Sequence, residues 1–250
     1  MPGRAQNTFR TILFILPCAT LACASKQTPA ATPAAAPTAS AAPKAAPAKP
    51  SAASPSRPAD AADAAAYYRR ERARLEQPDG SDVTNLDFAR LRRGRLYAGE
   101  PGISNDLMGE LRSALDKPKP EELLAITAKM LAADPTDLRA HLVSASALHE
   151  TGATAKADGH VVLAKALLES IAHSGDGRSF QSPWVVYQVK EEYEFLEVLG
   201  LAVGGQHLEQ QGERAYDVLS VQNPDTGAQG KAYFDVTELF AEEGRTLSGG

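Results

Sequence analysis

Five acidic residues in the second half of the chain sit beside turns or tyrosines. They are Asp176 in Ser174-Gly-Asp-Gly177, Glu191 and Glu192 ahead of Tyr193, Asp217 after Tyr216, and Asp235 after Tyr233-Phe234. Carboxyl groups that converge in a cleft can divide labour. Burial or a neighbouring negative charge raises the pKa of one, which then donates a proton, while another stays ionised. That chemistry would be acid–base hydrolysis of a glycan or another cell-wall component, with Asp176 and Glu191 or Glu192 as the acting pair. Each residue also has a plainer reading. An aspartate between glycines suits a turn, Glu191 and Glu192 suit a solvated strand edge, and Asp217 and Asp235 suit loop caps. The sequence therefore offers these five as candidates and assigns no catalytic residue.

Other chemistry has less support. The patterns G-x-S-x-G, G-x-x-x-x-G-K-[ST] and the EF-hand loop are missing. His149-Glu150 begins a zinc-protease pattern, but Ala153 stands where the second histidine belongs. His141, His149, His160, His173 and His207 have no spacing that enforces convergence on a metal. No metal and no cofactor is expected. Six of the 26 basic residues and one of the 31 acidic residues lie in residues 1–60, so the remainder carries 20 basic and 30 acidic groups, a net of −10. An acidic body argues against nucleic acid as partner, since phosphates demand basic neutralisation.

The elements that would carry these residues fall into two halves. Asp60 opens a first helical pattern with acids early and Arg69, Arg70, Arg72 and Arg74 late, which suits the helix macrodipole, and Pro78-Asp79-Gly80 ends it. Helices are expected over 85–92, from the Ser104 cap through Leu107, Leu111 and Leu115, over 120–133, over 138–150 and over 155–172. After Gly177 the period changes. Residues 184–189, 193–201, 215–221 and 232–236 are rich in β-branched and aromatic types. Gly204-Gly205, Gly212 and Asn223-Pro-Asp-Thr-Gly227 supply turns. Helices followed by strands mean an α+β fold, with a helical part over 60–173 and an antiparallel β-meander over 180–241. Leu239 and Phe240 start a last helical turn, and 244–250 read as a frayed tail.

The amino end places the protein. Arg4 and Arg10 precede an uncharged, mostly apolar run of about a dozen residues, then Ala19-Thr20-Leu21-Ala22 and Cys23. That run is shorter than the ~20 residues of a membrane span. Residues 27–59 are nearly all Ala, Pro, Ser, Thr and Lys, and ten of the 17 prolines lie in residues 1–60. Such a segment has little to bury and forms an extended, disordered tether. The expected organisation is a signal peptide over 1–22, a tether over 23–59 and one domain over 60–250. The only cysteines are Cys18 and Cys23. Removal of the first and modification of the second would leave no thiol for a disulfide or a nucleophile.

These features resemble a bacterial lipoprotein signal. The resemblance implies cleavage after Ala22, acylation of Cys23 (palmitate among the lipids) and, with Ala24 and Ser25 following, anchoring in the outer membrane facing the periplasm. Residues 138–172 resemble a tetratricopeptide hairpin, with Ala145, Ala157 and Ala164 at its small positions. His141 and Leu148 replace its aromatics, and Glu169 stands where its terminal proline belongs. A third resemblance rests on the order of several short motifs. These are Asp87-Phe88-x-x-Leu91-Arg92, a G-x-x-x-x-A-x-x-H helix (Gly152, Ala157, His160), Ser174-Gly-Asp-Gly177, Glu191-Glu192-Tyr193, Tyr216-Asp217 and Tyr233-Phe234-Asp235. Over about residues 82–241 that order is similar to the bacterial domain of unknown function 4919, which implies no activity. The expected role is an envelope interaction or scaffold module, non-enzymatic, held to the membrane by its lipid and meeting cell wall or an envelope protein. An acid–base hydrolase and a small-ligand-binding lipoprotein are the alternatives.

Overall fold

Side-chain caps begin three of the helices. Asp87 accepts a hydrogen bond from the Arg90 amide (2.9 Å), Ser104 from that of Leu107 (3.2 Å) and Asp137 from that of Ala140 (2.7 Å). Each satisfies an amide that the first turn leaves without a helical partner. In the computed structural model, residues 57–76, 83 and 85–248 are described, with side chains as far as 245. The helices are α1 (Ala61–Glu71), α2 (Ala73–Glu76), α3 (Phe88–Tyr97), α4 (Asn105–Asp116), α5 (Pro120–Ala133), α6 (Leu138–Glu150) and α7 (Thr154–Ala172). After them come β1 (Trp184–Val185), α8 (Val189–Val198), β2 (Ala202–Gln211), β3 (Arg214–Gln222), β4 (Gln229–Asp235) and α9 (Thr237–Ser248). The fold is α+β, helices first.

Helices α1 and α3 approach closely because Gly94 has no side chain; a Cβ there would stand 2.2 Å from the Ala64 carbonyl oxygen. Tyr68, Leu91 and Leu163 fill the space between this pair and α7. Helices α4, α5 and α6 share a second core around Leu111, Met130 and Val143. The main core joins α6, α7, α8 and α9 to one face of the sheet through Leu168, Phe195, Leu196, Leu219 and Phe234. Among the described residues no helix is long and apolar enough to cross a membrane.

The sheet runs β1-β4-β3-β2. Strands β2, β3 and β4 form the expected antiparallel meander, but β1 lies parallel to β4, with Trp184 opposite Phe234, so the sheet is mixed. Three expectations need correction. Residues 184–189 hold only a two-residue strand, because the chain turns into α8 at Val189. Residues 193–201 are helical to Val198, not a strand. Gly204 and Gly205 lie inside β2, at a register shift between Val203 and Gly205, while the hairpin turn is at Gly212. In addition, the short helix expected over 85–92 runs from Phe88 to Tyr97, and 244–248 continue α9 instead of fraying. The expected signal peptide, the expected acylation site Cys23, the expected tether as far as residue 56 and the expected helix stop at Pro78-Asp79-Gly80 lie outside the described residues.

Candidate functional site

Helix α8 gathers the chemistry. Its ten residues bury Glu191, Glu192 and Glu194 beside Phe195 and Leu196. The aromatic residues anchor it to the sheet: the Phe195 ring meets Trp184 edge-on, centroids 4.8 Å apart. With the helix held this way, its carboxyl groups must find partners within the protein or lose their charge.

Glu191 finds Arg92. The guanidinium on α3 grips both carboxylate oxygens (Nε to Oε1 2.9 Å, Nη2 to Oε2 3.0 Å) and also donates to Ser170 Oγ and the Val185 carbonyl. The Tyr187 amide adds a third hydrogen bond to Glu191 Oε2 at 2.8 Å. Arg92 is 1% exposed and Glu191 5%. This fork-to-fork pair ties α3, α7, β1 and α8 together.

Glu192, the next residue, finds another acid. Asp217 is a polar position on the otherwise apolar inner face of β3, between Ala215 and Leu219, and lies opposite Phe234 of β4. Glu192 is fully buried and Asp217 is 8% exposed. Burial, followed by the Asp217 charge and a hydrogen bond to Asp217, pushes the Glu192 carboxyl up to about 9. At neutral pH Glu192 therefore keeps its proton. Gln206 of β2 closes the pair from outside. Its amide donates to Asp217 Oδ2 (2.6 Å) and to Glu192 Oε2 (3.3 Å), and its carbonyl accepts from the Tyr193 hydroxyl. Glu192 Oε1 is buried without a hydrogen-bond partner, which fits a carboxyl group that does not carry full charge.

Lys190 and Glu194 complete the set. Lys190 reaches Asp134 (3.0 Å) and Asp137 (2.5 Å) at the α5–α6 corner, where Arg95 and Gln188 also meet Asp134. Although burial works against charge on both, their mutual attraction holds Asp134 well below the usual carboxylate range and Lys190 above the usual lysine value. Glu194, facing Arg139 at 3.4 Å, is raised by burial to about 8.

The other candidates have separate partners. Asp176 accepts from the Arg178 amide (3.0 Å) in a turn whose glycines are forced by packing. A Cβ at Gly175 would stand 2.2 Å from the Pro183 carbonyl oxygen, and one at Gly177 (φ +66°) would stand 2.3 Å from the Trp184 ring. Asp235 pairs with Arg214 and accepts from Thr237 at the start of α9. Hence the structure brings Glu192 and Asp217 together, and holds Asp176, Glu191 and Asp235 elsewhere. The solvated-edge reading of Glu191 and Glu192 is overturned, because both are buried on a helix.

Two of the histidines meet in the interior. His141 donates from Nε2 to the Pro135 carbonyl (3.0 Å), which leaves its Nδ1 to accept from His160 Nδ1 at 2.9 Å. Burial lowers both to about 4, so the pair is neutral at pH 7. Among the described residues no group of three or more His, Cys, Asp or Glu could hold a metal ion. An open groove of about 380 Å³ lies between α1 and α3, lined by Asp60, Asp63, Asp87, Arg90, Arg93 and Tyr187. Its lining is mostly charged, unlike the apolar pocket that a small-ligand protein needs.

Sequence reasoning missed Gln206, Lys190 and Asp134 as members of these clusters. Gln206 lies in a strand too polar to announce itself, and Asp134 reads locally as a turn residue.

No curated protein and no solved structure matches the chain. The family described as "Domain of unknown function (DUF4919)" matches residues 60–245. That span runs from the cap of α1 into the last turn of α9 and takes in every carboxyl group discussed above, so the chain belongs to the DUF4919 family.

Proposed function

We propose that this protein is a lipid-anchored envelope lipoprotein whose folded domain recognises a partner through the free edge of β2. One observation carries the recognition reading. Strand β2 is ten residues long, stands at the end of the sheet and, among the described residues, pairs with β3 alone. Such an edge presents a row of unpaired amides and carbonyls to which an extended segment adds as a further strand. The buried ionic groups support the same reading, because Arg92 pairs with Glu191 and Lys190 with Asp134 inside the protein. Anchoring rests on Cys23 after Ala22 and on the Ala/Pro tract behind it.

Two experiments test this. Labelling with palmitate and sedimentation of membranes should show lipid on the wild-type protein and loss of label and of membrane association in Cys23→Ser. A photo-reactive residue at His207 should form adducts in intact cells, whereas one at Val162 on α7 should not; equal labelling at both would contradict recognition by the β2 edge. A second reading, acid–base hydrolysis, draws on the Glu192–Asp217 pair alone. These groups share a hydrogen bond, closer than the ~5–10 Å separations of glycosidase carboxylates. They also lie behind Gln206, which would have to move. Cell-wall hydrolysis by the wild type that is lost in both Glu192→Gln and Asp217→Asn would favour that reading over the first.

A further inference from the structure

The partner of the β2 edge can be narrowed from its register, given the edge reading above. The irregularity between Val203 and Gly205 divides the strand; beyond it, Gly205 to Gln211 pair with β3 without a shift. Natural edge strands are usually blunted by Lys, Pro or inward charge. This seven-residue segment, Gly-Gln-His-Leu-Glu-Gln-Gln, has no Lys, Arg or Pro. Leu208 is its midpoint and is 46% exposed.

We propose that β2 pairs antiparallel with β2 of a second copy of this chain, about a two-fold axis at Leu208. Directly opposed residues then share a face. Leu208 meets Leu208 of the second copy, covering the exposed side chain on both. His207 lies opposite Glu209 of the second copy, and Glu209 opposite its His207. Within one chain these two already stand side by side, 3.8 Å apart, so pairing makes an alternating row of imidazole donors and carboxylate acceptors. Gln206 lies across from Gln210 of the second copy, with its own amide still turned to Asp217 and Tyr193. Complementarity of this kind needs the same patch on both partners, as a two-fold interface requires. The axis at Leu208 also uses the whole regular segment, because the irregularity that ends it falls beyond the last pair. A seven-residue ladder buries less than the ~1,600 Å² of a standard interface. The dimer is therefore expected at high local concentration, which confinement to a membrane surface supplies.

Cysteine cross-linking of the full chain in its own membranes reads the register directly. Leu208→Cys should yield a disulfide-linked dimer on mild oxidation. Gln206→Cys and Gln210→Cys should each fail alone, since like residues then lie too far apart for a disulfide, and should cross-link when the two variants are expressed together. Wild type, which has only Cys18 and Cys23, and Val162→Cys on α7 control for background and for chance collision. Cross-linking of Val162→Cys as strong as that of Leu208→Cys, or none from Leu208→Cys, would overturn self-pairing. If the photo-reactive residue at His207 then captures a different protein, the edge reading survives with another partner. If it captures nothing, both fail together.

Discussion

Glu191 and Glu192 are neighbours on one helix, equally deep in the protein, and they meet opposite fates. Glu191 faces three donors, two from the Arg92 guanidinium and one from the Tyr187 amide. Glu192, turned about 100° around the same helix, faces Asp217 and keeps its proton instead. Burial is the larger cause of the Glu192 shift, the facing Asp217 adds to it, and Glu191 differs in having a cation opposite. The first arrangement ties four elements together. The second leaves a group whose contribution depends on pH.

Breaking the ion-paired half should have the largest effect. Arg92→Met leaves the Glu191 carboxylate buried without its cation, and removal of one partner of such a pair costs about 3–5 kcal/mol. Urea unfolding should show this as a lower midpoint. Adding Glu191→Leu to that variant should recover part of the loss, because the unpaired charge goes with it. No recovery would mean that Arg92 acts through its contacts to Ser170 and Val185.

Glu192→Gln tests the other half and has the opposite sign. An acid with a folded pKa of about 9, above the ~4.5 of the unfolded chain, binds its proton more tightly when folded. Its stabilisation is complete at low pH and is lost as the pH rises through the window between those values. From pH 4.5 to 7 that loss is on the order of 3 kcal/mol. Glutamine keeps the shape and a donor for Asp217 and has no proton to lose. The variant should therefore be more stable than wild type at pH 8 and should flatten the fall in stability with pH. Glu194, raised to about 8, leaves a residual slope of the same sign.

Smaller changes sharpen the comparison. Asp217→Asn removes the charge opposite Glu192 and leaves its burial, the larger cause. The apparent pKa should drop by about one unit and stay above the usual carboxylate range, as read by NMR titration. Tyr193→Phe removes one hydrogen bond to Gln206 from a side chain that is 39% exposed. It should cost no more than about 0.5 kcal/mol. A larger loss would show that the amide position of Gln206 depends on that hydroxyl.

Much of the helical half was legible from sequence, because caps and apolar spacing coincide there: Ser104, Pro120 and Asp137 start helices where their types predict. The family was legible too, from the order of its motifs, and its match extends beyond the span those motifs cover. Helix α8 was not. Its inward face carries Glu191, Glu192 and Glu194 beside Phe195 and Leu196, so the apolar period of a helix is interrupted by acids, and the aromatic and branched residues that remain look like a strand. The helix signals were there in the acidic first turn and in Gly200, at φ +72°, just past its end. Strand β2 was hidden for the converse reason: an exposed edge need not be apolar, and its two glycines imitate a turn. Of the five candidate acids, only Glu192 and Asp217 meet. That encounter depends on how α8 lies across β3, which local spacing does not encode.

The most direct measurement is carbon NMR of the Glu192 side-chain carboxyl across pH 4 to 10, assigned by its disappearance in Glu192→Gln. The signal should keep the shift of a protonated acid at neutral pH and titrate near 9. A signal that has already moved to the carboxylate position by pH 6 would contradict the shared proton, and with it the distinction between the two glutamates.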